Sequence, residues 1–247
     1  MFLELIVLSA AHCFKAEQIK GVSDIVKSKY KVIAGKYFRD YDAKEDLPTQ
    51  TLKVTDITIP ERYTGMKGYY YGDIAVLTLD KIIIYQNHIS PVCLNFSAKD
   101  NNKSLPAEDT NGFVAGFGVT EEGVSSATLK ILSLPYIPYT KCIAFVPDEY
   151  TSYIQSDKFC AGSNNTGGVC KGDSGGGISF KHNDTYFIYG ILSNALFFNE
   201  TSCNLHMYSL FTKVMDHIGM IYDKYLNSTK ILRNLLENPK NTETEYI

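Results

Sequence analysis

The run GGVCKGDSGGG, residues 167 to 177, sets a serine (Ser174) directly after an acid (Asp173) and among glycines. Acyl-transfer chemistry needs that combination. Glycines let the backbone turn tightly, so that amide hydrogens can point at a developing oxyanion while the serine oxygen stands clear of its neighbours. A glycine-rich turn without chemistry is the plain alternative, and the surrounding sequence decides between the two.

Two further segments carry the partners that such a serine needs: AAHC at 10 to 13 and GDIAVLTL at 72 to 79. Together with CKGDSGGG at 170 to 177 they resemble the three catalytic segments of chymotrypsin-like serine proteases, in the order His, Asp, Ser. VAGFG (114–118), LP (134–135) and FCAG (159–162) fall at other landmarks of that family, and the similarity covers residues 3 to about 226. The resemblance implies that Ser174 is the nucleophile, His12 the general base and acid, and Asp73 the carboxylate that holds the imidazole tautomer. It assigns the oxyanion hole to the amides of Gly172 and Ser174. Asp173 matches the acid that pairs with the amine freed by activation cleavage, and Ser193 the serine beside the substrate backbone.

Relatives that cleave after Lys or Arg carry an acid six residues before the nucleophile. Here that position is Gly168, so a non-basic preference is expected, with Ala195 and Ser209 as walls of an uncharged slot for an apolar or aromatic residue. Gly177 stands where most of the family has proline, and GISF, YFIYGILS and SCNLHMYSLFT are similar to the arthropod modular serine proteases, secreted initiators of immune protease cascades. The function implied is a serine endopeptidase acting through an acyl-enzyme on protein substrates in an extracellular cascade. The alternative is a catalytically silent homologue, or a gene fragment, acting as a binding or decoy protein.

The six cysteines (13, 93, 142, 160, 170, 203) are too widely spaced for a zinc knuckle and fit disulfides in an oxidising compartment. The resemblance pairs Cys142 with Cys160 and Cys170 with Cys203. Cys13 and Cys93 are left over, and the family expectation is that both bond to an upstream segment or propeptide, free buried thiols being the other reading. MFLELIVLSAAHC could open a signal peptide, but it has no basic start and carries Glu4 in its apolar run. As the strand leading into His12 every residue from Leu5 has a role, so the chain is expected to be N-terminally truncated. Asp173 would then lack its amine, and a loosened, zymogen-like oxyanion turn is expected.

Around these segments, short apolar or alternating runs recur between turn signals, among them YKVIAG, TLKVTDITI, DIAVLTL, NGFVAGFG, LKILSLPYI, YFIYGILS and YSLFTKV. That pattern reads as all-β, and with the resemblance it implies two packed antiparallel six-stranded-type Greek-key barrels, the first incomplete, with a C-terminal α-helix. The polar stretch 97–112 is the expected link. The expected units are 1–108, an N-terminal barrel with His12 and Asp73; 109–232, a C-terminal barrel and helix with Ser174; and 233–247, a tail. From Phe211 the positions Val214, Met215, Ile218, Ile221, Tyr222 and Tyr225 follow helical spacing.

The chain has 247 residues, 45% hydrophobic and 21% charged, with a net charge of -3. That composition is globular, and the charge predicts no nucleic-acid partner. No apolar run reaches the length that a bilayer requires, so no membrane partner is expected. Asn-x-Ser/Thr occurs at Asn95, Asn102, Asn164, Asn183, Asn199 and Asn227, six of 15 asparagines, which with the cysteines points to a secreted, extracellular chain. His88, His182, His206 and His217 are expected on the surface or in the helix. The acidic cluster Asp40, Asp42, Glu45 and Asp46 is read as a solvated loop rather than a calcium site, and no metal or cofactor is expected.

Overall fold

The computed structural model describes residues 4–14, 27–94, 105–162, 168–195 and 208–237. Two β units pack against one another. The first is an open four-stranded antiparallel sheet of β1 (Ile6–Ser9), β2 (Lys31–Ala34), β3 (Gln50–Thr58) and β4 (Ala75–Leu79), in the order β1-β4-β3-β2. Its residues show why. In β3, Leu52 and Val54 alternate inward with exposed Thr51 and Lys53, and a register shift after Val54 turns Ile57 inward in place of Asp56.

The second unit is a closed barrel of six strands: β5 (Asn111–Gly116), β6 (Lys130–Ile137), β7 (Lys158–Ala161), β8 (Gly177–His182), β9 (Thr185–Ala195) and β10 (Ser209–Lys213), closing as β10-β7-β6-β5-β8-β9. Strands β8 and β9 form a hairpin whose turn residues Asn183 and Asp184 take φ 46° and 61°, the left-handed pair that a two-residue turn demands. Val114, Leu134, Phe159, Ile178, Leu192 and Phe211 fill the barrel. Helix α1 (Tyr139–Phe145) stops before Pro147 and is tied to β7 by the Cys142–Cys160 disulfide.

The fold is the one expected, a closed barrel beside an incomplete one, with a helix at the end. Two boundaries differ. Residues 211–213 complete β10, a 3-10 turn covers Val214–His217, and helix α2 runs Ile218–Glu237. It therefore extends through residues 233–237, the first part of the stretch expected as a tail: Leu, Lys, Arg and Glu are good helix formers, and the first strong stop is Pro239. Among the described residues no helix is long and apolar enough to cross a membrane.

A shared core joins the two units. Ile6 of β1, Ile74 and Val76 around β4, Ile188 and Ile191 of β9, and Val214 and Ile221 around α2 form one buried cluster. The segments bearing the candidate chemistry lie along this seam.

Candidate active site

His12 sits in the 3-10 turn Ala11–Cys13 that follows β1, and Asp73 lies two residues before β4. Because β1 and β4 are hydrogen-bonded neighbours, with Ser9 opposite Ala75, the two side chains emerge at the same end of the sheet. Asp73 is fully buried and its charge is met by three donors. The His12 amide donates to Oδ1 at 2.9 Å, His12 Nδ1 donates to Oδ2 at 2.7 Å, and the Ser193 hydroxyl donates to Oδ2 at 2.6 Å. An ionised carboxylate only accepts, so Nδ1 carries a proton, and Nε2 is the ring nitrogen not bonded to Asp73. Burial pulls the His12 imidazole down, but hydrogen bonds to Asp73 and Cys13 and the charges of both outweigh it and push its pKa up to about 10.

Ser174 lies in the turn between β7 and β8 and is exposed. It shares a small cleft of about 130 Å³ with His12, Tyr70, Cys170, Lys171, Leu192, Ser193 and Asn194. The turn is well held. Gly175 N–H bonds Leu192 O at 2.9 Å, Gly176 N–H bonds Asp173 O at 3.0 Å, and Gly172 takes φ +101°. Gly175 has φ +83°, and a Cβ there would meet Ser9 Oγ at 2.4 Å, so only glycine lets this turn touch the end of β1.

Asp173 faces away from the cleft into a second cavity of about 660 Å³ between β5, β6 and residues 118–128. Its Oδ1 accepts from Gly118 N–H at 2.8 Å and its Oδ2 from Cys170 N–H at 3.0 Å. Two amide donors thus meet the Asp173 carboxylate and link residues 118 and 170 to the turn.

Of the expected pocket residues, Ser193 lines the cleft. Gly168 lines the Asp173 cavity instead, and Ser209 is buried on β10, opposite Ala161 of β7 and Ala195 of β9. Cys170 is disulfide-bonded, and Cys203, its expected partner, lies outside the described residues. Cys13 and Cys93 are free thiols. Of the histidines, His217 lies in the 3-10 turn before α2 and is buried there, and burial followed by the charge of Arg62 lowers its pKa to about 4. His206 lies outside the described residues. In the acidic loop Asp46 accepts from the Tyr37 and Phe38 amides and pairs with Lys36.

Sequence reasoning missed Tyr70, Lys171, Leu192 and Asn194. Lys171 and Asn194 each adjoin a residue of the motifs. Tyr70 had only the run YYYG before Asp73 to mark it, and its ring stands edge-on to His12, centroids 5.9 Å apart.

The sequence profile of the trypsin family matches residues 3–219. The chain belongs to the trypsin family. This trypsin-family chain is 28% identical over 226 residues to the modular serine protease of Drosophila melanogaster, covering 87% of the chain and 33% of that protein. It is 28% identical over 215 residues to coagulation factor IX of Cavia porcellus, covering 86% and 67%, and 34% identical over 187 residues to ovochymase of Halocynthia roretzi, covering 71% and 11%. It therefore spans about a third of the modular serine protease, about two thirds of factor IX and about a tenth of ovochymase.

Proposed function

We propose that this chain is the peptidase domain of a serine endopeptidase. The observation that carries the reading is the convergence of His12, oriented by buried Asp73, and exposed Ser174 on one cleft. Ser174 Oγ attacks the scissile carbonyl carbon while its proton passes to His12 Nε2. The tetrahedral oxyanion accepts hydrogen bonds from the Gly172 and Ser174 amides. Collapse expels the amine, which takes the proton from His12, and leaves the acyl group on Ser174. Water then adds to the ester as His12 takes its proton, and the acid product leaves as that proton returns to Ser174.

Asp173, at the floor of its own cavity, is the acceptor for an amino terminus released by activation cleavage. Cys13 and Cys93 are the positions through which an upstream segment or propeptide would be tied to the domain. Substrate preference is non-basic: among the described residues lining the cleft there is no carboxylate, and the Lys171 ammonium there disfavours a cationic side chain. Exposed Asn183 in the β8–β9 turn and Asn227 on α2 offer glycan acceptors to a secreted chain, and the likeness to a modular serine protease favours work in an extracellular cascade on protein substrates.

A fluorophosphonate probe tests the reading. Labelling that maps to Ser174 and disappears in Ser174→Ala is expected. Absence of labelling in a folded chain would favour a catalytically silent homologue. Peptides with Leu, Phe or Tyr before the scissile bond should be cleaved faster than those with Arg, and the reverse ranking would refute the non-basic preference.

A further inference from the structure

The segment leading into Asp73 is held from the opposite barrel. Gln155 Nε2 donates to Gly68 O at 3.1 Å, Lys158 Nζ donates to Tyr70 O at 2.9 Å, and Gly72 N–H donates to Asp157 Oδ2 at 2.8 Å. Asp157 and Lys158 are themselves an ion pair at 2.6 Å, each side chain only 1% exposed. A fully buried pair is a poor source of stability, because desolvation cancels most of its attraction and an apolar pair of similar size does as well or better. Burial pushes the Lys158 ammonium pKa down, while Asp157 and then Asp73 oppose that shift, so the Lys158 charge acts within reach of the Asp73 carboxylate.

What the pair holds explains its presence better than stability does. Gly65, Tyr69, Tyr70 and Gly72 take φ 61°, 53°, 60° and 74°. Two successive tyrosines in the left-handed region are strained and persist only where the surroundings over-determine them. This strained segment delivers Tyr70 to the edge of the His12 ring and Asp73 to its Nδ1.

We propose that Gln155, Asp157 and Lys158 form a clamp of positioning residues that holds the 68–72 backbone and so sets Asp73 and Tyr70 against His12. The clamp rests on the peptidase reading above. It touches neither Ser174 nor the scissile bond, and it acts through the orientation of the imidazole, where a displacement of about 1 Å is enough to lower a rate a hundredfold.

The test uses the full chain carrying Asp157→Leu with Lys158→Met, which removes both charges together, strands neither, and takes away the acceptor of Gly72 N–H and the donor to Tyr70 O. The expected result is an unchanged thermal midpoint, amide exchange at Tyr70, Tyr71 and Gly72 about tenfold faster with β5 and β6 unaffected, a moved low-field resonance of the His12 Nδ1 proton, and fluorophosphonate labelling at least tenfold slower. Gln155→Met leaves the pair intact, serves if the double variant does not fold, and is expected to slow labelling about threefold. Labelling within twofold of the parent in the double variant, or in Gln155→Met where that variant stands in, overturns the clamp. So does unchanged exchange at residues 70–72. If the parent itself does not label, the peptidase reading fails, and the clamp is then judged on exchange and the His12 resonance alone: either one unchanged overturns it, both moved upholds it.

Discussion

At the residue scale the site depends on a buried carboxylate with three donors. Asp73→Asn keeps the shape but presents the wrong hydrogen-bonding partner to Nδ1, so kcat is expected to fall about 10⁴-fold with the fold intact, as seen by circular dichroism beside labelling kinetics. The raised His12 pKa gives a second expectation. Only neutral imidazole accepts the Ser174 proton, so labelling should climb with pH towards about 10, and Cys13→Ser, which removes one of the raising contacts, should move that limb to lower pH. A limb near 6.5 that ignores Cys13→Ser would contradict this. For stability the sign is the reverse of the activity trend: a histidine whose folded pKa lies above 6.5 stabilises fully below 6.5, and that contribution disappears as pH rises through about 10. At the cleft, Lys171→Glu should raise the Arg-over-Leu cleavage ratio roughly fivefold, the size of one exposed charge contact.

At the element scale, helix α2 is tied to the N-terminal sheet through Asp56 of β3, which pairs with Lys224 at 3.0 Å and Lys27 at 2.8 Å and accepts from Thr58 at 2.9 Å. Burial pushes the Asp56 pKa up, but its lysine and threonine partners hold it well below the usual carboxylate range. Its contribution is therefore present above the unfolded pKa near 3.9 and lost as pH falls further. Because Asp56 and Lys224 are about a third exposed and Lys27 nearly half, Asp56→Asn should cost no more than about 1 kcal/mol at pH 7 in urea melts, and nothing at the lowest pH. The helix itself was half legible. The three-and-four spacing of Ile218, Ile221 and Tyr225 shows in the sequence, whereas its start was masked because Phe211 and Val214 satisfy a strand and a helix equally well. β10 claims 211–213 through pairing with β7 and β9, partners more than fifteen residues away that no local pattern reveals.

At the scale of the whole molecule, the seam between sheet and barrel is what brings the chemistry together. Ile221→Ala should cost about 2 to 5 kcal/mol, since its cavity opens in a core that both units share. His217, buried beside Arg62, binds a proton more readily when unfolded, so the chain should lose stability as pH falls from about 6.5 through about 4, and His217→Asn should flatten that loss, by up to about 3 kcal/mol. The all-β class and the order of the three motif segments could be stated from the sequence, because turn chemistry, strand alternation and a glycine-rich serine turn are local properties. The Cys142–Cys160 bridge was implied only by the family resemblance. That the Ser193 hydroxyl bonds Asp73 could not be stated so. Ser193 lies 120 residues from it, and the hold of Asp157 and Lys158 on residues 70–72 crosses between the two units over more than 80. Nor could a motif show that Asp173 satisfies its charge with the amides of Gly118 and Cys170, or that Tyr70 stands beside His12. Residue types and spacing determined which groups could react. Chain closure alone decided which of them meet, because a hydrogen bond forms only where tertiary packing has already brought donor and acceptor within about 3 Å.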